Sequence, residues 1–145
     1  MQEFVQRGEY TIDIPTGESL ATELGAFEKI LSLLAHRSWS LLISERVPFL
    51  TCDHPVTLDF KDSKRHGPIG YGLRNTELVF PLNTRQALYG VFEDPQPAVG
   101  TVNATSAAVI NTRVFESAER QLFSRDLRCV VLLDGAPAEV LLGPE

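Results

Sequence analysis

The sequence predicts an α+β fold: a largely antiparallel sheet with two long helices packed on it. Three observations point there. Strand-like runs follow one another with short turns between them. Two segments, about 17–37 and 104–123, carry apolar residues at helical spacing. The C-terminal stretch "RCVVLLDGAPAEVLLG" places two aliphatic runs around Asp134-Gly135, a strong hairpin signal. With 145 residues and 43% hydrophobic content, one domain with a single core is expected over residues 1–145.

The elements follow in chain order. "EYTIDIP" alternates Tyr10, Ile12 and Ile14 with polar residues, as a half-buried strand does, and Pro15 ends it. Thr16 is placed to cap a helix and Glu18 to favour its dipole. Leu20, Leu24, Phe27, Ile30, Leu31 and Leu34 then form an apolar stripe expected to lie on the sheet. "WSLLISER" reads as a buried strand from Trp39 to Glu45, with the Trp39 indole N–H reaching a carbonyl. "FLTC" and "VTLDF" are further strands, broken at Asp53–Pro55 because proline donates no ladder hydrogen bond. "TELVFPL" and "QALYGVFE" come next, with Pro81 and Asn83 assigned to their connection and "EDPQPAVG" to a loop. Asn103 caps the second helix, whose inner face is Ala107, Ile110, Val114, Ala118 and Leu122.

Composition narrows the function. A net charge of -6, with only three lysines among thirteen basic residues, repels phosphate backbones and argues against nucleic-acid binding. Two cysteines, Cys52 and Cys129, make no disulfide framework and read as buried reduced thiols. No apolar run is long enough to cross a bilayer, and "MQEFVQRGEY" lacks the features of a signal peptide. A soluble cytoplasmic domain is the expectation.

Chemistry-bearing residues concentrate in "TCDHP". Asp53, two residues before a proline, can accept hydrogen bonds from following backbone N–H groups as a purely structural Asx-turn. Alternatively, Asp53 and His54 point into a cleft as a metal-ligand or acid–base pair. Neighbours on an extended chain face opposite ways, so convergence needs a sharp bend. A metal would need a third ligand, and the candidates His36, His66, Asp59 and Asp62 show no ligand spacing. The basic loop around Lys61, Lys64, Arg65 and His66 lacks the phosphate-loop pattern and reads as a solvated surface. Asn111, beside Ile110 at the buried edge of the second helix, requires a hydrogen-bond partner, either backbone or ligand. No GxSxG, HExxH, Walker or Rossmann pattern occurs.

The order of motifs resembles a known family. A strand opening on Trp ("WSLLIS") precedes "FLTCDHPV", then a strand ending in Pro-Leu ("LVFPLN"), then "VN" before a helix. This is similar to the DUF4238 family of uncharacterised proteins, in which a Thr/Ser-Asp-Asn-Pro-like corner is followed by a Pro-Leu strand and a Val-Asn helix. The likeness runs from about Tyr10 to Arg125, with Cys52 where a serine is usual and His54 where an asparagine is usual. Longer members carry a His- and Pro-containing segment leading into a helix, and nothing like it is read ahead of Gln2. The resemblance implies the architecture and carries no activity.

The leading expectation is a non-catalytic module binding a partner protein or a small ligand, as a homodimer, without cofactor or metal. Open sheet edges favour association, since natural proteins cover or pair them. The alternative is a metal-assisted hydrolase or nuclease-like enzyme centred on Asp53 and His54, with help from Arg113 or from the basic loop. The ligand-binding candidates are Asp53, His54 and Asn111.

Overall fold

The computed structural model describes residues 16–62, 67–93 and 97–142. The expected strand at Tyr10–Ile14 and the basic residues Lys64, Arg65 and His66 lie outside the described residues. Helix α1 (Thr16–Ala35) leads into β1 (Ser38–Ser44), β2 (Thr51–Cys52), β3 (Thr57–Phe60), β4 (Thr76–Asn83), β5 (Gln86–Val91) and β6 (Val99–Val102). Helix α2 (Ala104–Ser117), β7 (Leu122–Phe123), β8 (Arg128–Leu133) and β9 (Ala136–Leu141) complete the order. The α+β class with mostly antiparallel strands is therefore what the chain adopts.

The main sheet runs β3-β4-β5-β1-β6, antiparallel throughout except that β6 lies parallel to β1. That parallel edge strand begins inside the stretch expected to be loop, at Val99 and Gly100, and runs on to Val102. "VGTV" is short and carries glycine, so nothing local marks it. Pro81 is likewise inside β4 rather than in a connection, opposite Ala87 and next to an irregularity between Pro81 and Asn83. The ladder to β3 ends at Val79, so the missing N–H of Pro81 interrupts no pairing there.

Register puts one row of side chains on the face that meets α2. Asp59 is opposite Glu77, Val79 opposite Tyr89, and Tyr89 opposite Ser40. Val47, Phe49, Val79, Ala87, Ala107 and Ile110 bury themselves between this face and α2. A second cluster, Leu50, Cys52, Val114, Cys129 and Val131, lies between α2 and the β8–β9 hairpin. The hairpin turns at Asp134 and Gly135 with φ of 50° and 79°, the left-handed geometry that Asp-Gly supplies.

Helix α2 also seals the outer edge of β8. The Asn111 amide donates to the Val130 carbonyl at 2.9 Å, and the Leu132 N–H donates to the Thr112 hydroxyl at 2.7 Å. Side chains thus take the place of a neighbouring strand, one way of covering an edge. Helix α2 ends at Ser117, well short of 123, for a reason found in the Asp53 corner below.

Helix α1 departs from expectation more strongly. Its stripe does not lie on the sheet: Leu20, Leu24, Phe27 and Leu31 are 54–60% exposed. Among the described residues its firm attachments are at its C-terminal end, where Leu33 lies against Gly72 and the Trp39 indole donates to the Leu34 carbonyl at 3.0 Å. Amphipathicity predicts that a helix has an apolar partner and does not say which one.

Candidate functional site

The corner at Cys52–His54 is a splice onto the end of α2. Both carboxylate oxygens of Asp53 accept backbone hydrogen bonds, from Glu119 at 3.1 Å and Arg120 at 2.9 Å. Its own N–H donates to the Gln121 carbonyl at 3.1 Å, and the Ser117 hydroxyl donates to the His54 carbonyl at 3.0 Å. The expected fastening is present, but it joins residues far apart in the chain rather than closing a local Asx-turn. Burial works to raise the Asp53 pKa, yet the N–H groups of Glu119, Arg120 and Gln121 outweigh it and hold the carboxyl below its ordinary value. This contact turns the chain away at residues 118–121 and stops the helix.

His54 sits beside that carboxylate, its Nδ1 3.9 Å from Asp53, with its side chain 56% exposed. Cys52 is buried, its sulfur 3.5 Å from the Ser117 hydroxyl, and Cys129 is buried on β8, where desolvation pushes its thiol up. His36 is exposed near the end of α1, its Nδ1 2.7 Å from the Ser32 carbonyl. Among the described residues no group of three or more His, Cys, Asp or Glu side chains gathers where it could hold a metal ion.

Asn111 is fully buried and its amide is spent on backbone. Its oxygen accepts from the Leu50 N–H at 2.9 Å, and its NH2 donates to the carbonyls of Pro48 at 3.0 Å and Val130 at 2.9 Å. The side chain pins three segments together and turns no donor toward a ligand.

Arg113, two residues on, reaches the other way. It bridges Asp59, at 3.2 Å from its Nε, and Glu77, which its Nη1 meets directly. Those carboxylates sit opposite each other across β3 and β4, an unfavourable like-charge pair unless a cation lies over both. The Tyr89 hydroxyl donates to the other Glu77 oxygen at 2.9 Å. Burial, then the charge of Glu77 and the hydrogen bond to it, push the Tyr89 hydroxyl well above the ordinary tyrosine range, so it stays neutral and donating.

Glu77, Tyr89 and Arg113 of this cluster line a cavity of about 320 Å³ between α2 and the sheet. Leu42, Val79, Val102, Val109 and Ile110 supply apolar walls. Exposed Pro97 and Ser106 stand at its mouth. The size is at the lower end of small-molecule pockets, which combine apolar walls with a few placed polar groups. Of the candidate catalytic and ligand-binding residues, Arg113 alone lines it; Asp53, His54 and Asn111 do not.

The fold's sequence-level resemblance has a counterpart in comparison with known proteins. The model of the family described as "Protein of unknown function (DUF4238)" matches residues 2–127, most of the chain. The chain belongs to the DUF4238 family. No curated protein and no solved structure matches it. The family assignment covers the sheet, α2 and the corner at Asp53, and it brings no activity with it.

Sequence reasoning missed Glu77, Tyr89 and Ser40. Glu77 and Val79 share a face by strand alternation, which a reading of "TELVF" could have noted. Tyr89 and Ser40 enter through inter-strand register, which no short pattern encodes. Arg37 was also passed over. It is 4% exposed, and donates to the carbonyls of Tyr71, Thr76 and Gly90 and to the Thr76 hydroxyl. Its guanidinium lies 4.3 Å from the centroid of Phe92, and desolvation lowers its pKa against the pull of Glu93.

Proposed function

We propose that this domain is a non-catalytic module that holds a small ligand between α2 and the sheet. The ligand has an apolar body and a cationic or hydrogen-bond-donating head, an alkyl ammonium being the simplest form. The observation that carries this reading is the polar end of the cavity, where Glu77 and Tyr89 meet Arg113 against apolar walls. Glu77 and Arg113 balance within the lining, and Asp59, on the far side of Arg113 and outside the lining, adds a second negative charge to the cluster. An ammonium head complements it, whereas a carboxylate head would be repelled.

The arrangement suits binding better than turnover. Each Glu77 oxygen is already engaged, Tyr89 is kept neutral, and the Ser40 hydroxyl donates to the Pro97 carbonyl at 2.7 Å. No histidine or cysteine lines the cavity. A nucleophile with a base in reach, the minimum for acyl or phosphoryl transfer, is not among its walls.

The test is an NMR titration of the labelled protein with hexylamine. Shifts confined to Val79, Tyr89, Val102 and Val109, and absent in Val109→Phe, are the expected result. Shifts spread evenly over the surface, or none at millimolar amine, would refute the reading.

A further inference from the structure

Among the described residues, helix α1 presents an apolar face that the sheet does not cover. Leu20, Leu24, Phe27, Leu31 and Leu34 follow one another at steps of four, three, four and three residues, the 3.5-residue period of a two-helix seam. The first four are 54–60% exposed, and Leu34 is half-buried. A helix resting on a sheet needs a broader stripe; a strict seam fits another helix. No seam position is polar.

We propose that α1 pairs with α1 of a second copy of this chain, antiparallel, across a two-fold axis at Phe27. The seam is nearly palindromic about that residue. Leu20 would face the partner's Leu34, and Leu24 would pack beside the partner's Ile30 and Leu31, so one pairing buries every member on both helices. Such self-complementarity is what an isologous interface requires. Charge selects the direction. Among the described residues the sheet joins α1 at its C-terminal end, and the chain carries a net charge of -6. A parallel pair would set two acidic bodies side by side and bring Glu23 toward the partner's Glu28. With the axis at Phe27, an antiparallel pair sets the two C-terminal ends at Ala35 about 24 Å apart, roughly three Debye lengths at physiological salt. A seam of five side chains per copy, with Ile30 beside it, is small next to a standard interface, so dissociation in the micromolar range, on the order of 1–100 μM, is the affinity it supports.

Sedimentation velocity of the whole chain from low to high micromolar concentration tests the pairing. The wild type should shift from monomer to dimer, more readily at high salt, and Leu24→Glu with Phe27→Glu should remain monomeric with an unchanged circular dichroism spectrum. Direction is tested by oxidising an equimolar mixture of Leu20→Cys and Leu34→Cys variants. The mixed disulfide should dominate, since the native Cys52 and Cys129 are buried. A wild type that stays monomeric at the highest concentration would overturn the proposal, whether or not it adsorbs to phospholipid vesicles. So would a dimer that survives the double glutamate substitution, or a predominance of Leu20→Cys homodimers.

Discussion

Replacing Asn111 by leucine removes the amide that joins α2 to the chain at 48–50 and to β8, while nearly keeping side-chain volume. Three buried backbone groups lose a partner: the Leu50 N–H and the carbonyls of Pro48 and Val130. The Leu50 N–H has no second route to satisfaction, whereas each carbonyl oxygen has another lone pair. An orphaned buried polar group costs about 1–3 kcal/mol, so with the carbonyls weighted low the sum is about 3–5 kcal/mol. A domain of this size has about 5–15 kcal/mol in total. With a urea m-value of about 1–3 kcal/mol per molar, the midpoint should fall by about 2 M. Thr112→Val provides the scale, since it removes the Thr112 hydroxyl bond to Leu132 and should cost about 1 kcal/mol. Hydrogen exchange at Leu50 should accelerate in Asn111→Leu by more than the global loss of stability explains. An Asn111→Leu protein within about 1 kcal/mol of wild type would show that these bonds do not hold the layers together.

Other expectations follow from the same contacts. Because the Asp53 pKa lies below its unfolded value, its stabilisation is present above the ordinary aspartate range near pH 4 and is lost as pH falls through the folded value. Asp53→Asn should therefore melt lower than wild type at pH 7, and the gap between the two melting curves should shrink as pH falls below the ordinary aspartate range; a constant gap as the carboxylate protonates would contradict the carboxylate clamp. Arg113→Met leaves Asp59 and Glu77 facing each other and should cost about 2 kcal/mol, part of it recovered by adding Glu77→Gln. A double variant no more stable than Arg113→Met in urea titration would remove the bridging role. A Cβ at Gly90 would stand 2.7 Å from Cζ3 of Trp39, so Gly90→Ala should cost about 1–3 kcal/mol and shift the fluorescence of the one tryptophan. An unchanged spectrum and midpoint would mean that the indole has room to spare.

Much of the fold was legible because its signals are local. Asp134-Gly135 needs positive φ and has it, Asn103 accepts from the Ser106 N–H at 2.8 Å, and the Trp39 indole finds a carbonyl. The break after Cys52 follows from Pro55. Asn111 could be marked as a buried amide in need of partners, though not which ones. What escaped reading depends on distant pairings. The end of α2 is decided by a carboxylate more than sixty residues earlier, and β6 is a strand because β1 offers an edge to it. The cavity escaped for the same reason: Glu77, Tyr89, Ser40 and Arg113 come from four elements and meet only through register. The stripe of α1 was read correctly as apolar and placed on the sheet, where it does not lie, since amphipathicity alone does not say which surface an apolar face meets.

No helix among the described residues is long and apolar enough to span a membrane. The ligand cavity and that stripe use different parts of the molecule, and substitutions in one should leave the other intact. Val109→Phe should still self-associate, and Leu24→Glu with Phe27→Glu should still take up amine.

The most direct test of the ligand-binding account is calorimetric titration of the wild-type protein with hexylamine and, separately, hexanoate under the same buffer and salt. The account predicts that the amine binds at least about tenfold more tightly, since one unmatched charge in a partly desolvated site is worth on the order of 1–2 kcal/mol, and that Val109→Phe abolishes the heat. Equal affinities, a preference for the carboxylate, or undiminished binding by Val109→Phe would contradict it.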